Sequence, residues 1–268
     1  MPKPPILDRK HPNAPSVFQP AALLREARRQ KGLDAVDVPA MCILDPDGDI
    51  VRRLRQDGRA SRFAGWPCYH TDLDTFALAG QTVGIIGRAV GAPFAVLIAE
   101  QLFASGCRLL VSLTSAGQIV PAGQPPYFVI IDRALRDEGT SYHYAAPSEF
   151  GEADPQLVAM AAKALDGIGL PVRVGASWTT DAPFRETAEA IAAAQARGVL
   201  AVEMEAAALY TFARAAGVRV LCLAHVTNTM GRVEQDFEKG EDDGTADALR
   251  VLAAIASAVD GGMSPPGR

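Results

Sequence analysis

From residue 40 onward the chain alternates short apolar runs with amphipathic segments, and this alternation constrains its fold more than any other feature. The apolar runs are AMCIL (40–44), TVGIIG (82–87), RLLVSL (108–113), YFVII (127–131), VRVGAS (172–177), VLAVEM (199–204) and VRVLCLAHV (218–226). Their lengths, and the β-branched residues in several, suit strands buried on both faces. Between them stand helical patterns: IVRRLRQDG, PFAVLIAEQLFASG, PQLVAMAAKALDGIG, RETAEAIAAAQARG, MEAAALYTFARAAG and TADALRVLAAIASAVDGG. Several end in glycine, which a helix needs for a left-handed cap, and ASGCRLL and AAGVRVL run straight into the next strand. The expected fold class is α/β: a single domain with a central, mostly parallel or mixed sheet flanked by helices. A length of 268 residues fits one such unit. Sheets of this kind bind ligands beyond the carboxyl ends of their strands, so the polar residues just after each apolar run are where chemistry is expected.

Composition removes several function classes. With 26 Lys and Arg against 31 Asp and Glu, the net charge of −5 argues against a nucleic-acid-coating surface, and no nucleic-acid partner is expected. No apolar run approaches the roughly 18 residues of a membrane span, and the start MPKPPILDRKHPNAP lacks the apolar core of a secretory signal, so a cytoplasmic protein without a membrane partner is expected. Cys42, Cys68, Cys107 and Cys222 are scattered, which suits buried, reduced thiols and gives no metal-ligand spacing. Residues 1–40 read as an N-terminal extension in which Pro20 opens a short helix with a solvated basic face of Arg25, Arg28, Arg29 and Lys31. Residues 263–268 read as a flexible tail.

The strand ends in order are ILDPDGDIVRR, IIGRAVGAP, SLTSAGQ, RDEGTSYHY, ASWTTDAPFRE, VEMEAAAL and AHVTNTMG. They contain neither a Walker-type loop nor a G-x-G-x-x-G after a strand, which disfavours nucleoside triphosphates and dinucleotides, and no G-x-S-x-G elbow. The most informative segment is VLAVEMEAAALYTFARAAG. Glu203 and Glu205 sit two apart at the end of an apolar strand, pointing the same way, with apolar neighbours on both sides. A carboxylate there can accept two hydrogen bonds from the cis-diol of a sugar, or cap the helix that follows.

VEMEAAALY resembles the ribose-binding signature of the nucleoside phosphorylase family, which includes uridine phosphorylase, hexameric purine nucleoside phosphorylase and the methylthioadenosine nucleosidases. RALRDEGTSYHY resembles the family loop near the active site and subunit contact, GRAVGAPFAVLIAEQL its glycine-proline turn into a helix, and WTTDAPFRE the loop that closes over the base. The resemblance makes residues 41–262 a nucleoside phosphorylase-like catalytic domain. It implies cleavage of the N-glycosidic bond of a nucleoside, by phosphorolysis to free base and (deoxy)ribose 1-phosphate. The partners implied are a small-molecule nucleoside and phosphate as co-substrate, with no metal and no organic cofactor, in a homodimer or homohexamer.

Carried over residue by residue, the resemblance puts Glu205 on the 2′ and 3′ hydroxyls, with Met204 on the ribose and Glu203 lining the same pocket. Thr114, Ser115 and Gly117 in SLTSAGQ fall at the turn facing phosphate and ribose. Phe184 and Arg185 fall in the base-side loop, and Asn228 falls near the position that carries an Asp in purine-cleaving and an Arg in pyrimidine-cleaving members. Gly48 and Arg52 in GDIVR keep the spacing of the family's phosphate turn, within an unusually acidic LDPDGD. Ser112 stands where family phosphorylases have a phosphate-binding Arg. Arg88 either replaces that charge or is a surface or interface residue. Two alternatives follow from these departures: a phosphate-independent nucleosidase, and a non-catalytic nucleoside-binding protein. Of the histidines, His11 and His70 are candidates to reach a neighbouring subunit's site, His143 suits a loop or interface, and His225 suits the core. Trp66 and Trp178 are expected to pack.

Overall fold

The computed structural model describes residues 4–229, 239 and 241–260. Every apolar run forms a strand: β1 (Met41–Asp45), β4 (Gln81–Gly87), β5 (Leu109–Gln118), β6 (Tyr127–Asp137), β8 (Val172–Thr180), β9 (Val199–Glu203) and β10 (Val220–Thr229). Every helical pattern forms a helix: α2 (Asp49–Gln56), α3 (Ala92–Phe103), α4 (Pro155–Leu165), α5 (Ala188–Ala196), α6 (Ala206–Ala216) and α7 (Thr245–Asp260), preceded by α1 (Pro20–Lys31). Three short strands carry no apolar run long enough to announce them: β2 (Ala60–Arg62), β3 (Asp74–Leu78) and β7 (Phe150–Glu152). They pair at the margins of the sheet, where one face or both meet solvent.

The sheet runs β10-β6-β8-β9-β5-β1-β4-β3-β2, with β7 on β6. β10 also pairs with β5, so β10, β6, β8, β9 and β5 form a closed ring. Five of the ten described pairings are parallel and five antiparallel, which makes the sheet mixed rather than mostly parallel. β3 and β4 pair antiparallel because the chain turns back between them without a crossover helix, whereas β10 and β6 are antiparallel neighbours brought together from distant parts of the chain.

Alternation along each strand divides the core into two layers. Cys42 and Leu44 of β1 face one layer with α3 and α6, while Met41 and Ile43 face the other with α2, α4 and α7. On the first face Ala206, Ala207 and Ala208 are all buried, which lets α6 lie close to the strands. Tyr210 locks α6 down: its hydroxyl donates to the Ile131 carbonyl at 2.6 Å and accepts from the Cys222 N–H at 2.9 Å. All four cysteines are unpaired and buried, and Trp66 and Trp178 are buried with their indole N–H groups on Thr71 and Asp137.

The helix α1 packs its apolar face on the body and leaves most of its basic face in solvent. Leu24 and Ala27 are buried against the body, Arg28 donates to Ser105 Oγ, and Lys31 donates to the Cys68 carbonyl at 2.6 Å. Arg25, Arg29 and Lys31 of that cluster are exposed and Arg28 is half-buried. The tail at 263–268 lies outside the described residues.

Candidate active site

The site is built where β9 hands over to α6. Glu203 ends β9 fully inside the protein, and both its oxygens are used. Oε1 accepts from Ser177 Oγ at 2.9 Å and Thr179 Oγ1 at 2.5 Å. Oε2 accepts from the N–H groups of Glu205 and Ala206, each at 2.7 Å. These are two of the amide donors that the first turn of a helix leaves without partners, so Glu203 caps α6 and ties it to β8. With four donors on it, the Glu203 carboxylate is engaged by the protein itself. Burial raises its pKa, against the pull of those donors.

Glu205 is different. Its Oε1 accepts from the Gly91 N–H at 2.7 Å, in the turn between β4 and α3. Its Oε2 is buried and, among the described residues, has no hydrogen-bond partner. Burial, followed by the charge of Glu203, pushes its pKa up to about 8. A buried acceptor without a donor is costly unless a ligand completes it, and a hydroxyl donated to Oε2 would also favour the charged form. Gly91 holds φ at 88°, a region that glycine alone enters freely, and so presents its amide to Glu205.

The turn after β1 forms the opposite wall. Asp45 is buried and accepts from the N–H groups of Gly48 and Val51 at 3.1 and 2.9 Å, which fixes the start of α2; burial raises its pKa to about 7. Asp47 reaches across to β5, where its two oxygens accept from the Ser115 N–H and the Ser115 hydroxyl, both at 2.9 Å. Gly48 has φ 79°, and a β-carbon there would lie 2.8 Å from Arg88 Cγ, so the missing side chain is what lets Arg88 cross the turn. Arg88 itself holds a positive φ of 66°, and among the described residues its guanidinium takes part in no salt bridge. Arg52, by contrast, is held by Asp49 at 2.7 Å and Asp243 at 2.6 Å. Gly48, Arg52 and Arg88 share a cleft of about 610 Å3 with Trp66 and Tyr69.

Thr114, Ser115 and Gly117 lie along the carboxyl half of β5, with Asn228 of β10 registered beside Gly117. Ser112, deeper in β5, is buried, and its hydroxyl has no partner among the described residues. Met204 is partly buried between the two glutamates. Phe184 and Arg185 are not brought to this group. Thr180 Oγ1 accepts from the Ala182 N–H and Thr187 caps α5, so the loop is pinned at both ends and Phe184 projects from its apex, 98% exposed. Their expected place over the base is not taken up in this conformation. His225 is a core residue, stacked on Phe128 with ring centroids 4.4 Å apart, and burial lowers its pKa to about 4.

Sequence reasoning overlooked Asp45, Asp47, Gly91, Ser177 and Thr179. A signal existed for Gly91, since a glycine two residues before Pro93 opens α3, and for the aspartates, since LDPDGD is too acidic for a plain turn. None marked the Ser177–Thr179 pair, which meets Glu203 only through the β8–β9 pairing.

Comparison with known proteins completes the picture. The family model described as the phosphorylase superfamily matches residues 29–259. The chain belongs to that superfamily. Among relatives of this phosphorylase-superfamily chain, the uridine phosphorylase of Thermococcus kodakarensis is 27% identical over 194 residues, covering 65% of this chain and 68% of the relative. A DeoD-type purine nucleoside phosphorylase of Tolumonas auensis is 26% identical over 179 residues, covering 64% and 74%. The crystal structure of Vibrio fischeri uridine phosphorylase complexed with 6-hydroxy-1-naphthoic acid superposes with a TM-score of 0.70 at 20% identity, over 84% of this chain and 92% of that one, a likeness of fold.

Proposed function

We propose that this enzyme cleaves the N-glycosidic bond of a nucleoside by phosphorolysis, releasing free base and (deoxy)ribose 1-phosphate. The observation that carries this reading is the buried, unpartnered Oε2 of Glu205, positioned by Gly91 and by the capped start of α6. Ribose hydroxyls donating to it would replace the lost solvation, return the carboxylate to its charged form and set negative charge beside a sugar that becomes oxocarbenium-like as the bond breaks. Met204, Thr114, Ser115 and Gly117 line the sugar. Asn228 hydrogen-bonds the base, and Phe184 and Arg185 cover it once the loop folds inward. Arg88, with Gly48 and Arg52 beside it, supplies the charge for phosphate that Ser112 lacks.

The catalytic unit is residues 41–262, with α1 as a brace, and no metal or organic cofactor takes part. We place the enzyme in the cytoplasm as a homodimer or homohexamer; among the described residues no helix is long and apolar enough to cross a membrane. One observation favours hydrolysis as a second reading: Ser112 is neutral, and a carboxylate, that of Asp47, already sits on Ser115.

The test is a nucleoside panel with and without inorganic phosphate, following free base. Phosphate-dependent release is expected, and release independent of phosphate would transfer the assignment to hydrolysis. Glu205→Ala should lower kcat/KM by about 100-fold to 1,000-fold, as removal of a well-placed electrostatic group does; retained turnover would remove Glu205 from the ribose.

A further inference from the structure

We propose that Asp47 determines specificity for the nucleophile: its carboxylate occupies an anion seat formed by Ser115, and inorganic phosphate enters only by displacing it. This rests on the reading of the chain as a nucleoside-cleaving enzyme. The Ser115 N–H and hydroxyl converge on one carboxylate, each at 2.9 Å, the geometry with which a backbone amide and a hydroxyl hold an anionic oxygen pair. Asp47 comes from a different loop, the turn before α2, so the contact links two strand ends across the face where the site lies. It is close enough to Glu205 to contribute to the upward pKa shift there. The seat therefore lies within electrostatic reach of Glu205.

Of Arg52, Arg88 and Lys239, Arg88 alone takes part in no salt bridge among the described residues, so displacement by a doubly charged anion rests on that one guanidinium. Ser112 adds no charge. Arg52 is engaged by Asp49 and Asp243, and Lys239 by Asp49 at 2.6 Å. A second anion cannot share the seat, because like charges in contact repel one another, more strongly at a protein surface than in bulk water. Water is neutral and needs no such exchange. With either nucleophile an oxygen bonds to the anomeric carbon, the electrons of the C–N bond leave with the base, and the proton of water or of hydrogen phosphate ends on that base. The two routes thus differ in whether Asp47 must move.

The experiment compares the full-length protein with Asp47→Ala and Asp47→Asn. Inorganic phosphate is titrated into each by calorimetry, and the sugar product of nucleoside cleavage is resolved into free sugar and sugar 1-phosphate. Asp47→Ala is expected to bind phosphate about tenfold or more tightly than the native protein and to raise the proportion of sugar 1-phosphate. Asp47→Asn keeps the shape without the charge and should fall between them. Because Asp47 is exposed, all three should melt within a few degrees of one another. Equal phosphate affinity in the three proteins, or no measurable binding to Asp47→Ala, overturns the proposal. If no protein releases base from any nucleoside, the functional reading falls while the phosphate titration still decides the role of Asp47.

Discussion

Glu203 and Glu205 show how two identical side chains, two residues apart, acquire opposite tasks. Glu203 is saturated by two hydroxyls and two amides, while Glu205 keeps one oxygen buried and unpartnered. The sequence carried both as candidates for the sugar, with helix capping as the competing role of one; which one caps depends on Ser177 and Thr179, some 25 residues away along the chain and brought alongside by β8. Glu203 thus acts through Glu205, whose backbone N–H it holds and whose pKa its charge raises. Glu203→Gln keeps most of the cap and removes that charge. It should move the pH profile of kcat/KM for the Glu205-dependent step to lower pH, which a purely structural role would not do. Glu203→Ala should also cost about 1–3 kcal/mol of stability through the unpaired amides, read as a lowered Tm in thermal melts.

The element that bears most on the phosphate side is the β1–α2 turn. Asp45 fixes its geometry through two backbone amides, Gly48 permits it with a left-handed φ of 79°, and Arg88 lies across the glycine. The Gly48→Ala substitution brings a β-carbon within 2.8 Å of Arg88 Cγ and adds backbone strain of about 1–2 kcal/mol. The expected result is a modestly lower Tm with a raised KM for phosphate and an unchanged KM for nucleoside, measured by varying each substrate separately. From the sequence, Gly48 and Arg52 were recognisable by spacing, but the ion pairs that restrain Arg52 were not, because Asp243 is 191 residues away. Likewise DAPFRE was legible as a loop opening α5, whereas the exposure of Phe184 depends on how Thr180 and Thr187 anchor its ends.

At the scale of the whole molecule, burying carboxyl groups at the strand ends links stability to pH. Asp45 is raised to about 7 and Glu205 to about 8, so near neutrality the folded protein retains protons that the unfolded chain has released. Stability contributed by these groups is present at low pH and is lost as pH rises through those values. His225, lowered to about 4, works the other way: it favours folding as pH rises from about 4 to its unfolded value near 6.5. The opposing slopes leave a clear window, and Tm should fall between about pH 6.5 and pH 8.5. Scanning calorimetry across that range tests this, with Glu205→Gln expected to fall less steeply; a Tm that rises through the window would contradict it.

The sequence by itself determined the order and kind of the main elements, since apolar runs and helical patterns are local and each reports its own burial. It also located the sugar-side glutamates, because two carboxylates between apolar neighbours need an internal reason. Only the tertiary structure decided that the sheet is mixed and partly closed, that α1 is docked on the body, that Glu203 caps while Glu205 stays open, and that Asp47 lies on Ser115. Those outcomes depend on partners distant along the chain, and hydrogen bonding between strand ends is set by the register of the sheet, which no single segment encodes.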